Sequence, residues 1–110
     1  MNTSYFASTL LKQVSLDRQI SIARYPSRWW KGKRTYLSLA PTKEMLKMSE
    51  GDYNKEYAKI LSALDPKSVY SDLGEDAVLL CWEKTGRPCH RRIVAQWLED
   101  ELGIIVEELV

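Results

Sequence analysis

The apolar run "AVLLCW" at residues 77–82 constrains the fold more strongly than any other segment of the chain. It follows the polar residues "SDLGED" and contains no polar side chain, so it predicts a central strand that is buried on both faces. Strands of this kind belong to parallel sheets that are covered on both sides. Three segments rich in β-branched or aromatic residues predict shorter strands: 4–7, 20–24 and 103–110.

Helices are predicted between these strands. Residues 52–64 carry apolar side chains at helical spacing, with Asp52 as the expected N-cap and Pro66 just past the end. Residues 89–102 show the same spacing more clearly, and residues 40–48 predict a shorter helix. Strands that alternate with helices predict a small α/β fold, with a mostly parallel short sheet flanked by helices.

Composition limits the class of protein. A chain of 110 residues, 45% hydrophobic and 28% charged, is expected to form a single domain over residues 1–110. No segment approaches the roughly 20 apolar residues that cross a membrane, and residues 1–13 lack a signal-peptide pattern. We therefore expect a cytoplasmic protein with both cysteines reduced and no contact with a membrane. The net charge of +1 argues against a strongly basic nucleic-acid-binding protein.

The segment "CWEKTGRPCHRR" at residues 81–92 holds both cysteines and the one histidine of the chain. It runs from the end of the predicted central strand through a Gly/Pro loop into a predicted helix. Ligands of open α/β sheets bind at the carboxyl ends of strands, and a helix N-terminus favours anions. The segment therefore predicts a phosphate or carboxylate site with four surrounding cations: Lys84, Arg87, Arg91 and Arg92.

Cys89 and His90 are the candidate catalytic residues of this site. A cysteine at a helix start, beside cations and a histidine, is expected to have a lowered pKa, which favours a nucleophile. A helical wheel turns His90 toward the apolar face of its helix and the end of the sheet. The alternatives are a core histidine with one hydrogen bond and a Cys89 that only fills space. Cys81, inside the apolar run, is interpreted as structural.

Two sharper patterns fit this segment less well. Cys81 and Arg87 satisfy the Cys-x5-Arg loop pattern of protein tyrosine phosphatases, but the intervening Glu83 would repel phosphate. A zinc site built from Cys81, Cys89 and His90 lacks an evident fourth ligand and has no known finger spacing. We therefore predict neither a metal site nor a cofactor.

A second candidate surface is the basic and aromatic stretch "RYPSRWWKGKRTY" at residues 24–36. Cations for phosphate and rings for base stacking favour a nucleotide or a single-stranded nucleic acid as partner. Arg24 is expected at the carboxyl end of its strand, beside the Cys-His-Arg turn. Neighbouring residues of an extended chain alternate faces, so at least one of Trp29 and Trp30 is expected to be exposed or in a pocket. The alternative is a loop that its tryptophans pin to the core.

The segments "ISIARYPSRWW", "LAP" and "VLLCWEKTGRPCHRRIVAQWL" together resemble the prokaryotic and phage family catalogued as domain of unknown function 488. The resemblance covers nearly the whole chain and implies a small α/β protein with a Cys-His-Arg turn entering a helix. The chain departs from longer members in a shorter N-terminal region and in Ile22, where many carry aspartate. The resemblance implies no defined activity. Its motif positions are Arg24, Pro26, Cys81, Glu83, Cys89, His90 and Arg91.

The preferred hypothesis is an intracellular enzyme or ligand-binding domain that acts on a phosphate-bearing ligand, a nucleotide or nucleic acid. The alternative is a non-catalytic protein-interaction or nucleic-acid-binding module in which the Cys-His-Arg turn is structural. A redox-sensing role for Cys89 is the third hypothesis. In the preferred hypothesis Cys89 and His90 supply the chemistry, and the ligand-binding residues are Arg24, Trp29, Trp30, Glu83, Arg87 and Arg91.

Overall fold

A computed structural model describes residues 1–82 and 90–109. Its strands form one sheet in which all paired neighbours are parallel, which confirms the predicted α/β fold with a parallel sheet. Short 3-10 helices lie at Thr9–Gln13, Leu16–Arg18, Leu37–Leu39 and Glu44–Lys47. The strands and α-helices are β1 (Asn2–Tyr5), β2 (Gln19–Ser21), β3 (Arg34–Thr35), α1 (Glu50–Ser62), α2 (Pro66–Leu73), β4 (Val78–Cys81), α3 (His90–Leu102) and β5 (Glu107–Glu108).

Strand β4 lies at the centre of the sheet, whose order is β3-β2-β4-β1-β5. Leu79 in this strand is paired with Thr3 of β1 on one side and with Ile20 of β2 on the other. Every residue of β4 is at most 1% exposed. The uninterrupted apolar run therefore forms the doubly buried strand that it predicts.

Different parts of the chain cover the two faces of the sheet. Because side chains alternate along a strand, Leu79 packs on one face, whereas Leu80 packs with Phe6 and Leu11 on the other. The three α-helices form the layer on the Leu79 face, and the segment that follows β1 covers the opposite face. The helical residues buried in the Leu79 cluster are Tyr57, Leu61, Val69, Leu73, Val94, Ala95 and Leu98.

Side-chain caps decide where the first two helices begin. Ser49 accepts a hydrogen bond from the N–H of Asp52 at 3.3 Å, so α1 begins before the predicted cap. Pro66, predicted only to follow a helix, is the first residue of α2, where a missing N–H costs nothing. Asp65 caps this helix through the N–H of Lys67. Sequence analysis missed α2 because its short, polar sequence reads as a turn.

The edge strands differ most from the prediction. β3 is polar and exposed, so no hydrophobic pattern marks it. Of the described residues 103–109 in the predicted strand 103–110, only β5 pairs with the sheet. The predicted strand starts at Gly103, which has a φ of 68° and follows the last residue of α3. β1 begins two residues before the predicted segment 4–7.

The predicted helix at 40–48 is reduced to the 3-10 turn Glu44–Lys47. The hydroxyl of Thr42 accepts a hydrogen bond from the N–H of Met45 at 3.3 Å and so starts this turn. Within the described residues, no helix is long and apolar enough to cross a membrane.

Candidate ligand-binding cleft

The topology of the sheet opens a gap between the carboxyl ends of β2 and β4. After β2 the chain turns toward β3 at one edge, and after β4 it turns toward β5 at the opposite edge. Neighbouring parallel strands whose connections diverge leave a crevice between them, which is the usual ligand site of an open α/β sheet. Residues 23–25, which follow β2, and residues 81–82, at the end of β4, lie at this crevice.

A cleft of about 1210 Å³ lies at this position. It is lined by residues of α1 and α3 and by the residues that follow β2 and β4. Most of its exposed surface is apolar, and several polar and charged side chains also belong to the lining. An apolar cavity with polar groups is typical of small-molecule sites. The polar and aromatic residues of the lining include Arg24, Tyr25, Tyr53, Trp82, His90 and Trp97.

His90 is the first residue of α3 and lines the cleft while remaining only 6% exposed. Its Nε2 lies 2.7 Å from the carbonyl oxygen of Ile22. A carbonyl oxygen can only accept, so Nε2 carries the proton and donates it. Tyr57 packs nearly perpendicular to the imidazole, with 5.4 Å between ring centroids. These contacts are those of the packed histidine that the sequence left open as an alternative.

Burial lowers the pKa of His90 from 6.5 to about 4. The hydrogen bond to Ile22 opposes this shift, and the positive charge of Arg91 adds to it. The imidazole is therefore neutral at neutral pH, so positive charge in the cleft must come from other groups. A general acid or base for neutral pH would need a pKa closer to 7.

Arg91, a predicted anion-binding residue, is 1% exposed and does not line the cleft. Its Nε and Nη2 donate to the Glu108 carboxylate, with an Nη2–Oε2 distance of 2.7 Å. Its Nη1 donates to the Cys81 sulfur at 3.0 Å, and the guanidinium carbon lies 5.8 Å from the Tyr5 ring centre. Arg92, by contrast, is exposed and lines the cleft, and it donates to Thr3 of β1 and to the carbonyl oxygen of Val106 before β5. Arg91 therefore joins α3 to three strands, and its ligand-binding role stays a prediction.

Arg24 lines the same cleft as His90, as expected for strands that end at one edge of a parallel sheet. Its side chain is half-buried, and its Nε donates to the carbonyl oxygen of Pro41 at 2.8 Å. Its Nη1 and Nη2 make no hydrogen bond with any other residue that the structure describes. Arg24 therefore presents a positioned guanidinium whose terminal donors are available to an anion.

Two aromatic side chains that sequence analysis did not assign to the site, Tyr25 and Trp82, line the cleft and are 55% and 51% exposed. The indole Nε1 of Trp82 donates to the backbone carbonyl of Tyr25 at 2.7 Å, which joins the ends of β2 and β4. Half-exposed large rings are informative because burial would stabilise them. The signal for Trp82 was its place at the end of the apolar run, which we assigned to the strand.

The adjacent tryptophans point to different surroundings, as the alternation of side chains predicts. Trp29 is 60% exposed, whereas Trp30 is half-buried and packs 5.4 Å from the ring of Phe6. The Trp30 Nε1 also donates to the side-chain oxygen of Gln19 at 2.8 Å. A Cβ at Gly32 would overlap the Trp30 ring, so glycine allows the loop to fold back here. Neither tryptophan is among the cleft residues.

The predicted roles of Glu83, Arg87 and Cys89 stay predictions, because these residues lie outside the described part of the chain. No cysteine among the described residues is free, so the prediction of a reduced thiol is wrong for Cys81. In residues 1–82 and 90–109, no group of three or more His, Cys, Asp or Glu is placed to hold a metal ion.

No protein-family model, curated protein or solved structure matches the chain. The resemblance to domain of unknown function 488 stays a prediction. Fold and site nevertheless define a class of domain: a parallel α/β sheet with a cleft where the connections of β2 and β4 diverge. Within that class, function depends on the side chains that line the cleft.

Proposed function

We propose that this chain is a binding domain for a small phosphate-bearing ligand, which occupies the cleft between β2 and β4. The observation that carries the proposal is the guanidinium of Arg24. Its Nε is held by the Pro41 carbonyl, while the terminal nitrogens are left unbonded by the described residues that surround them. A planar guanidinium with two parallel donors matches the geometry of phosphate oxygens.

Charges along the cleft favour a single anionic group near Arg24. α3 begins at His90, so the positive end of its dipole lies on this side of the cleft. Asp100 and Glu101 also line the cleft, ten and eleven residues further along α3, which is about 15 Å along the helix axis. Glu50 at the start of α1 adds a third carboxylate. An anion is therefore repelled from the far part of α3 and attracted to its first turn.

His90 has a positioning role in this proposal. Its hydrogen bond holds the carbonyl of Ile22, two residues before Arg24, and connects the first turn of α3 to the segment that carries the guanidinium. A neutral imidazole whose Nε2 proton is already donated offers the ligand neither a charge nor that proton. The catalytic role of Cys89 is a separate prediction and does not enter the proposal.

Calorimetric titration of the full chain with adenosine 5′-monophosphate tests the proposal through Arg24→Gln. Losing a hydrogen bond to a charged group costs roughly 1.5–3 kcal/mol, so we expect the affinity to fall about 10- to 100-fold. Arg18→Gln is the matched control. Arg18 also donates through Nε to a backbone carbonyl at 2.8 Å, but it precedes β2 at the opposite edge of the sheet. No binding by the wild type, or equal affinity in Arg24→Gln, would overturn the proposal.

A second candidate function is favoured by the exposed loop after β2. Its side chains Arg28, Trp29, Lys31 and Lys33 are all exposed, which is typical of surfaces that bind single-stranded nucleic acid. Fluorescence anisotropy of a labelled single strand would show affinity that falls with added salt. Trp29→Ala would weaken binding roughly five- to hundredfold if the ring stacks on a base. An unchanged affinity in this variant would remove the second candidate.

A further inference from the structure

The position of Trp82 in the cleft is not explained by packing alone. It directly follows β4, lines the cleft and is 51% exposed. A tryptophan left half in water forgoes much of the stabilisation that burial of its large ring would provide. Its ring is nevertheless held in place, because two different contacts act on the indole.

The first contact is the hydrogen bond from Nε1 to the carbonyl oxygen of Tyr25 at 2.7 Å. The second is with Phe6, which is 2% exposed; the two ring centroids are 5.4 Å apart and the planes meet at 69°. A ring that is already held has little conformational freedom to lose when a second ring stacks on its open surface. Trp82 is therefore a preorganised aromatic surface at the cleft.

This aromatic surface and the cleft cation are neighbours in the fold. The carbonyl group that holds Trp82 belongs to Tyr25, and Arg24 is the preceding residue. The Cα atoms of the two consecutive residues are about 3.8 Å apart. Because both residues line one cleft, a ligand that uses both would carry a phosphate for the guanidinium and a planar ring for the indole. Nucleotides combine these two groups.

We propose that Trp82 is the stacking surface of the cleft and that the ligand is a nucleotide, with its phosphate on Arg24 and its base on Trp82. This inference rests on the proposed phosphate-binding function and adds the base to it. The nucleotide is either free or the terminal unit of a single strand, since both present the same phosphate and base. Trp82 then determines the preference for ligands that carry a base.

Calorimetry on the full chain tests the inference by comparing adenosine 5′-monophosphate with ribose 5-phosphate, which lacks the base. Stacking of a base on an aromatic side chain changes affinity roughly five- to hundredfold, so the wild type should prefer the nucleotide by such a factor. Trp82→Ala should remove this preference, so that the variant binds the two ligands with similar affinity. Trp82→Phe keeps a ring but loses the N–H group that donates to the Tyr25 carbonyl. Its affinity for adenosine 5′-monophosphate should therefore lie between those of the wild type and Trp82→Ala.

Trp29→Ala is the matched control, because Trp29 is similarly exposed and is not among the cleft residues. Circular dichroism establishes that each variant is folded at the titration temperature. If Trp82→Ala does not fold, the inference is still tested by Trp82→Phe and by the wild-type affinities for the two ligands. If a 5′-phosphorylated tetranucleotide binds more tightly than adenosine 5′-monophosphate, the inference is supported and the ligand is the end of a single strand.

Equal affinity of the wild type for the two ligands would overturn the inference, as would a Trp82→Ala variant that binds the nucleotide like the wild type. Both results leave the proposed phosphate-binding function standing, provided that Arg24→Gln weakens binding. Failure of every phosphate compound to bind the wild type would overturn the proposed function and the inference together.

Discussion

His90 and Arg91 at the start of α3 differ from Arg24 and Trp82, near the ends of β2 and β4, in how completely they are bonded and buried within the protein. On the α3 side, His90 and Arg91 are 6% and 1% exposed, and each is bonded within the protein. On the side of the β2 and β4 ends, Arg24 is half-buried and Trp82 is half-exposed. No described residue bonds the terminal nitrogens of Arg24, and part of the Trp82 ring is open to solvent.

This difference shows that a residue type suited to ligand binding is not always free to contact a ligand. Burying a charged or polar group is costly unless a partner satisfies it, so buried His90 and Arg91 must be bonded inside the protein. A ligand is held by groups whose bonding is incomplete, such as the terminal nitrogens of Arg24. His90 and Arg91 of the Cys-His-Arg sequence are thus bonded inside the fold, whereas no described residue bonds the terminal nitrogens of Arg24.

Removal of Arg91 is expected to have the largest effect on stability. Arg91→Met leaves the Glu108 carboxylate, whose side chain is 15% exposed, without the arginine that pairs with it. Breaking a buried ion pair from one side costs about 3–5 kcal/mol of unfolding free energy, measured by urea denaturation. Arg92→Met is the control on the same turn, where an exposed side chain should cost about 1 kcal/mol. Equal losses in both variants would contradict a structural role specific to Arg91.

The pH dependence of stability should report on His90. The unfolded chain protonates this histidine near pH 6.5, whereas the folded chain does so only near pH 4. The neutral buried imidazole therefore favours folding fully above pH 6.5, and this contribution is lost as the pH falls toward 4, by on the order of 3 kcal/mol.

His90→Gln isolates that contribution, because glutamine keeps an N–H donor for Ile22 and does not titrate. Urea denaturation of both proteins between pH 4 and 7 cancels the shared carboxylate titrations. The wild type should lose stability relative to the variant as the pH is lowered. Parallel curves would show that His90 titrates in the folded protein as it does in the unfolded chain.

The adjacent tryptophans Trp29 and Trp30 also differ in how completely they are packed, and we expect their removal to have smaller effects on stability. Trp30→Ala removes the contact with Phe6 and the hydrogen bond to Gln19, and should cost about 2–3 kcal/mol. Trp29→Ala removes an exposed ring and should change the free energy of unfolding by about 0.5 kcal/mol or less. Thermal denaturation compares the two directly. A larger loss from Trp29→Ala would place its ring in an unrecognised packing role.

The central strand of the sheet and the positions of His90 and Arg24 could be predicted from sequence because they depend on strong local patterns. The apolar run at 77–82 identifies the central strand, and the helical spacing after His90 turns that residue toward the end of the sheet. Because parallel strands end at one edge of a sheet, the sequence alone predicts that Arg24 lies beside His90. These inferences need only periodicity and chain direction.

The distribution of roles within the site could not be predicted, because it depends on contacts between distant segments. Arg91 is satisfied by Glu108, which lies 17 residues further along the chain, and His90 is satisfied by Ile22, at a separation of 68 residues. No local pattern indicates either partner. Trp82 is held at the crevice by Tyr25, which is 57 residues away in the chain, and by Phe6, and these contacts likewise depend on the fold.

The central claim is that the ligand is bound from the β2 and β4 side of the cleft and that α3 supplies structure. Its most direct test is calorimetric titration of adenosine 5′-monophosphate into the wild type, Arg24→Gln and His90→Gln at neutral pH, with each variant verified as folded. We expect His90→Gln to bind close to the wild-type affinity and Arg24→Gln to bind about 10- to 100-fold more weakly. Wild-type affinity in Arg24→Gln together with lost binding in folded His90→Gln would contradict the claim.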